Sequence, residues 1–158
     1  AAAAKSGRPI LLKRGLVATI GDFLRSAQFV LDNGNGNVIL CERGVRTFDD
    51  TLRNMFDAAG ISLLKQITHL PVIADPSHAS GHRELVPLLA RIGLAAGADG
   101  LIVEVHPDPD NALSDGEQSL NFAEFDAMMT ALEPWLALRK QSLDGVQSAA
   151  SLAMEAVG

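Results

Sequence analysis

Residues 9–15 read PILLKRG, and residues 38–44 read VILCERG. Each is an apolar run that ends in a charged residue, an arginine and a glycine. Two further stretches have a similar build: PVIADPSH at residues 71–78 and GLIVEVH at residues 100–106. The apolar parts, residues 9–12, 38–41, 71–74 and 100–103, are rich in Ile, Leu and Val and do not alternate with polar residues. Such runs suit strands covered on both faces, as in parallel sheets.

The segments between the runs have helical spacing. Thr19 can cap a helix that carries Ile20, Phe23, Leu24, Ala27, Val30 and Leu31 on one side. Thr47 can cap a second, through Leu52, Met55 and Phe56. A third is expected over residues 84–96, with Pro87 near its first turn and Gly97 as its stop. A fourth runs from Phe122 toward Leu138, where Pro134 should kink or interrupt it. The order is β-α-β-α-β-α-β-α, with strand-to-strand offsets of about 26–35 residues, the size of a βαβ unit. The first two units also repeat a strand, an Arg-Gly pair (Arg14-Gly15, Arg43-Gly44) and a threonine cap.

Repeated βα units point to a (β/α)8 barrel or a doubly wound sheet. A full barrel needs about 250 residues. This chain of 158 residues holds four units, so the expected class is α/β, as half of a (β/α)8 TIM barrel. Residues 1–140 would form that domain, with residues 1–7 as the end of a preceding helix. Residues 141–158, rich in Ala, Ser and Gly, read as a tail, disordered or weakly helical, with a slight preference for disorder.

Composition narrows the function classes. Apolar residues make up 47%, enough for a sizeable core, and the formal net charge is −6, which argues against non-specific nucleic-acid binding. An acidic protein that binds phosphates must gather its few cations locally, so the places of Lys and Arg are informative. The single cysteine, Cys41, excludes an intrachain disulfide, and a reducing cytoplasm is the simplest setting. No signal peptide is expected from the start of the chain. The apolar runs are far shorter than the roughly 20 residues a membrane span needs.

Polar residues stand where the strands end, and in a barrel those ends converge on one rim, where active sites form. Lys13 and Arg43 fall on neighbouring strands at the same height and can clamp a dianionic phosphate or a carboxylate. The plainer reading is a rim salt bridge, such as Lys13 with Glu42. Arg46 is a further candidate cation, whereas Arg14 should point away from the barrel centre. His78, Glu104 and Asp115 form a mixed N/O set that suits Mn²⁺, Fe²⁺, Co²⁺ or Zn²⁺, or else a satisfied hydrogen-bond network. His106 precedes Pro107 and reads as part of a turn, although it too can ligate. His69 and His82 read as surface or packing residues, and Cys41 as a buried strand residue.

The strings LLKRG (11–15), ILCERGVRTF (39–48), LPVIADPSHASGHR (70–83) and GLIVEVHPDPDNALSDGEQSL (100–120) together resemble the type I 3-deoxy-D-arabino-heptulosonate 7-phosphate synthases, in the branch nearest the octulosonate 8-phosphate synthases. The likeness runs from about Lys5 to Lys140. It implies a (β/α)8 barrel with a divalent metal that joins phosphoenolpyruvate to erythrose 4-phosphate, the first step of the shikimate pathway. On that resemblance the four strands are the fifth to eighth of the barrel, its C-terminal half. Lys13 and Arg43 are then phosphoenolpyruvate-binding residues, and His78, Glu104 and Asp115 metal ligands. The catalytic roles are expected at Lys13 and His78, and apart from the resemblance Asp75 and Glu42 are candidates to orient neighbouring groups. KRG after the first strand and DPSH after the third favour the heptulosonate enzyme over its octulosonate sister.

The departures are specific. The family's fourth metal ligand is a first-strand cysteine, which Cys41 does not replace. The second-strand KPR-type motif for the aldose phosphate and the fourth-strand arginine region have no counterpart, nor is a regulatory module evident. The expected partners are therefore the two substrates, the other half of the barrel and further copies in a homo-oligomer, with activity absent from this chain by itself. A non-catalytic half-barrel that binds phosphorylated ligands or a partner subunit is the competing reading.

Overall fold

The computed structural model describes the backbone of residues 1–155 and the side chains of residues 1–138. Four strands, β1 (Ile10–Lys13), β2 (Val38–Glu42), β3 (Val72–Ala74) and β4 (Gly100–Leu101), form one sheet in the order β1-β2-β3-β4, every pair parallel. Five α-helices follow them in turn: α1 (Ile20–Asp32), α2 (Ala58–Ile67), α3 (Pro76–Ser80), α4 (Val86–Ala95) and α5 (Phe122–Glu155). Four consecutive βα units with neighbours in sequence order are what a segment of a (β/α)8 barrel requires.

The register brings Lys13 opposite Cys41, Cys41 opposite Ile73, and Ile73 opposite Gly100. Along each strand alternate side chains face the helices. Val38, Leu40, Val72 and Ala74 are buried against Phe23 and Ala27 of α1 and Ile61 and Leu64 of α2. Burial of apolar surface is worth roughly 25 cal/mol per Å², so this layer contributes to the cohesion of the sheet and its helices. A second cluster joins Val86, Ala90 and Leu94 of α4 to Met128 and Leu132 of α5, with Leu120 between them. The opposite face of the sheet is less covered. Leu11 is exposed there, and Ile39 and Ile73 are only half-buried, so these runs are not sealed on both sides as their composition suggests.

Helix α1 begins where its sequence predicts. Thr19 Oγ1 accepts from the Asp22 N–H at 3.1 Å, and Asp22 Oδ2 accepts from the Thr19 N–H at 3.0 Å, a reciprocal capping box. Helix α2 does not follow its prediction. Residues 47–56 are not helical. Val45 and Met55 instead exchange backbone hydrogen bonds at 2.9 and 2.8 Å, while Phe48, Leu52 and Met55 are exposed. The cap is Asp57, whose Oδ1 accepts from the Gly60 N–H at 2.7 Å.

The third predicted helix begins later, because residues 83–85 make a 3₁₀ turn and Pro87 sits at the true α-helical start. Pro134 does not end α5, which continues to Glu155 and so gives residues 141–155 a helical backbone. Pro134 and Thr130 are both exposed, so water can serve the carbonyl that proline leaves without a donor.

Candidate functional site

The C-terminal strand ends lie side by side along one rim. Lys13 closes β1, Arg43 follows β2, Asp75 follows β3, and Glu104 lies three residues past β4. Their local backbones are tightly determined. Gly44 adopts φ +85°, and a Cβ there would lie 2.8 Å from the Asn54 Cβ and 3.0 Å from the Ala79 Cα. A residue with a side chain would therefore push the loop carrying Arg43 off the third loop. Asp75 caps α3, taking the His78 N–H on Oδ1 at 3.0 Å, with Pro76 in the first turn and Gly81 past the end at φ +72°. This short helix, unforeseen although Asp-Pro and Gly mark its ends, is what aims His78 into the rim.

His78 stands between two carboxylates. Its Nε2 is 3.1 Å from Glu104 Oε1 and its Nδ1 is 2.8 Å from Asp75 Oδ2. The second approach is too oblique for a hydrogen bond, so Nδ1 is buried without a hydrogen-bond partner. Asp75 Oδ2 also accepts from Lys13 Nζ at 2.8 Å. Ligand atoms of His78, Glu104 and Asp115 lie within 4.8 Å of one another. One imidazole and two carboxylates converging in this way have a donor set suited to a borderline or hard divalent ion. Asp115 holds the left-handed conformation, φ 54°, as the residue that opens the 3₁₀ turn Gly116–Gln118. Aspartate tolerates that conformation better than most side chains.

Lys13 and Arg43 differ in their commitments. Lys13 is one-third exposed and pairs with Asp75, not with Glu42. Arg43 is half-buried, and among the described residues it forms no ion pair, as is also true of exposed Arg46. Glu42 is instead fully buried with Arg14, whose guanidinium reaches Glu42 Oε2 at 3.0 Å, Asp57 Oδ2 at 2.7 Å and the Ala18 carbonyl at 3.0 Å. Burial works against the Arg14 charge, but the bonds to Asp57 and Glu42 outweigh it and hold its pKa above the ordinary value. Cys41, also fully buried, has its thiol pushed up to about 12 by burial first and by the Asp75 charge second, so it stays protonated and packs.

Among the described residues the remaining histidines are not part of the converging group. His106 Nδ1 accepts from the Asp108 N–H at 3.0 Å within its own turn, and His69 and His82 are exposed. Three residues with no spacing signal join the site instead. The Asn54 amide donates to the His78 carbonyl at 2.9 Å, Gln118 Nε2 donates to Glu104 Oε2 at 2.7 Å, and Arg53 reaches both Gln118 Oε1 and Asp115 Oδ1. A polar cleft of about 520 Å³ opens beside Asp115 between Arg53, His82 and Glu117.

Known proteins resemble the chain in sequence and in fold. The Thermotoga maritima phospho-2-dehydro-3-deoxyheptonate aldolase is 48% identical over 126 residues, which take in 80% of this chain and 37% of that protein. A 2-dehydro-3-deoxyphosphooctonate aldolase from Bradyrhizobium is 34% identical over 92% of this chain and 54% of its own length. In three dimensions, a truncated form of the Thermotoga maritima 3-deoxy-D-arabino-heptulosonate 7-phosphate synthase superposes with a TM-score of 0.85 at 46% identity, covering 87% of this chain and 53% of that one. The chain thus spans about half or less of the length of these relatives. The model of the DAHP synthetase I family matches residues 1–137, and with the parallel sheet and the identities above, the chain belongs to that family.

Proposed function

We propose that this chain is the part of a 3-deoxy-7-phosphoheptulonate synthase that holds phosphoenolpyruvate and most of the metal site. The observation that carries the reading is the convergence of His78, Glu104 and Asp115 within 4.8 Å, on the rim where Lys13 ends β1 and where Arg43, without an ion pair among the described residues, follows β2. Arg43 meets a carboxylate or phosphate through a planar fork, and Lys13 adds a point charge beside it. Holding phosphoenolpyruvate at both cations fixes where its C3 points and supplies proximity and orientation.

His78, Glu104 and Asp115 would hold a divalent ion, of the Mn²⁺, Fe²⁺, Co²⁺ or Zn²⁺ group, and such an ion supplies Lewis acidity toward the aldehyde of erythrose 4-phosphate. In the reaction, a C–C bond forms between C3 of phosphoenolpyruvate and the aldehyde carbon. Water adds at C2, and phosphate leaves with C–O cleavage. Asp75 holds Lys13 and flanks His78, so it keeps the phosphoenolpyruvate cation and the imidazole in one geometry. Among the described residues there is no counterpart of the KPR-type motif and no cysteine in the cluster, so the proposal places the aldose-phosphate site and the fourth ligand in the rest of a barrel. A cytoplasmic setting and a homo-oligomer belong to the same proposal. Among the described residues no helix is long and apolar enough to cross a membrane.

The octulosonate alternative rests on the 34% likeness to the Bradyrhizobium enzyme and is weaker than the 48% likeness to the heptonate enzyme. The deciding experiment offers the full-length protein erythrose 4-phosphate or arabinose 5-phosphate with phosphoenolpyruvate and Mn²⁺, and measures phosphate release. Release with erythrose 4-phosphate is expected. Release with arabinose 5-phosphate alone would reassign the substrate, and release with neither would sink the synthase reading.

A further inference from the structure

We infer that Gln118 is a positioning residue that fixes the Glu104 carboxylate, and with Arg53 the Asp115 carboxylate, in the geometry that accepts a divalent ion. The inference rests on the metal-site reading proposed above.

Gln118 is 1% exposed, which is unusual for an amide in a loop and demands that its polar atoms be satisfied. Its two ends face groups of opposite kind. Oε1 accepts from the Arg53 guanidinium, and Nε2 donates to Glu104 Oε2 at 2.7 Å. A guanidinium has only donors and an ionised carboxylate only acceptors. The amide therefore has one productive orientation, and a flip would set like against like at both ends. With Oε2 of Glu104 occupied by Gln118, Oε1 is left facing His78 Nε2 at 3.1 Å. That division directs one oxygen of Glu104 into the cluster.

The same Arg53 nitrogen is 3.1 Å from Asp115 Oδ1. Asp115 is also three residues before Gln118, across the turn Gly116–Gln118, and its carbonyl accepts the Gln118 N–H at 3.3 Å. The buried amide thus holds the Glu104 carboxylate directly and the Asp115 carboxylate through Arg53. Groups that orient metal ligands in this manner typically change affinity about 10- to 100-fold when removed.

The test uses the full-length protein, with Mn²⁺ alone as the probe. Gln118→Leu removes both hydrogen bonds at similar volume, and Gln118→Met does so with a flexible side chain should the leucine variant not fold. The expected result is Mn²⁺ affinity weakened about 10- to 100-fold, while phosphoenolpyruvate affinity measured without metal stays within about twofold. A merely structural role would lower the melting temperature and leave the Mn²⁺ affinity of the folded molecules unchanged, and that result overturns the inference. If the unaltered protein itself binds no Mn²⁺, the metal-site reading fails, and the inference fails with it.

Discussion

Two charge clusters lie beneath the same rim, and they are built in opposite ways. In the first, one guanidinium, Arg14, sits between Glu42 and Asp57, with side-chain exposures of 7%, 0% and 27%. Arg14 has donors aimed at both acids and at the Ala18 carbonyl, and Glu42 takes a further N–H from Gly44 at 2.8 Å. This cluster is closed and satisfied. In the second, His78, Glu104 and Asp115 converge with exposures of 16%, 30% and 36%. Glu104 faces the imidazole, Asp115 lies within 4.8 Å of both, and the cation paired with Asp115 is the half-exposed Arg53. Charge that is satisfied internally braces loops. Acceptor atoms that converge without enough donors form a receptor for a cation. The contrast begins with two neighbours in sequence: Lys13 ends β1 at the open rim, while Arg14, one pleat further, turns into the brace.

The largest expected effect breaks the first cluster. Arg14→Met would leave Glu42 buried without its cation, a change that costs on the order of 3–5 kcal/mol. Urea unfolding of the full-length protein should read that loss as a lower midpoint, with Mn²⁺ affinity per folded molecule unchanged. A loss under about 1 kcal/mol would show that the brace is not a structural device.

Glu104→Gln sharpens the other side. It keeps the shape of a half-exposed side chain but removes the charge of a proposed ligand, so Mn²⁺ binding should fall at least about tenfold while the urea midpoint moves by less than about 1 kcal/mol equivalent. Wild-type metal content in this variant would refute the ligand role of Glu104. The two variants together should separate stability from metal binding in opposite directions.

How much of this was legible in the sequence depended on whether the signal was local. The strands were legible because strands in a parallel sheet read as short apolar runs, and residues 10–13 and 38–42 fall almost on the predicted ones. Helix α1 was legible because Thr19 is a capping residue and the apolar stripe follows it directly. The start of α2 was misread because Thr47 mimics a cap and Leu52, Met55 and Phe56 mimic a stripe. The true cap, Asp57, is held by Arg14, a partner 43 residues away that no window of sequence can reveal. His78, Glu104 and Asp115 were visible as residue types at strand ends and through the family motifs. Gln118 was not, because a glutamine 14 residues from its carboxylate partner has no characteristic spacing. Arg53, 65 residues from Gln118, has none either.

The smallest expected effect lies far from both clusters and tests whether the helix start behaves as local chemistry alone requires. The Asp22 carboxyl is lowered from 3.8 to about 2, first by the Thr19 hydroxyl, which donates to it at 2.6 Å, then by the Thr19 N–H and the Arg25 guanidinium. An acid whose pKa is lower in the folded state favours folding when ionised. Its contribution is therefore complete above the unfolded value of 3.8 and disappears as pH falls through about 2. Asp22→Asn removes that dependence while it keeps a side-chain acceptor for the Thr19 N–H. The melting temperature of the unaltered protein should exceed that of Asp22→Asn at pH 5, and the gap should close as pH falls from 3.8 toward about 2. Other carboxylates titrate in both proteins and cancel in the difference. A gap that stays constant over this range would mean that the carboxylate charge does not hold the cap, and that Thr19 alone starts α1.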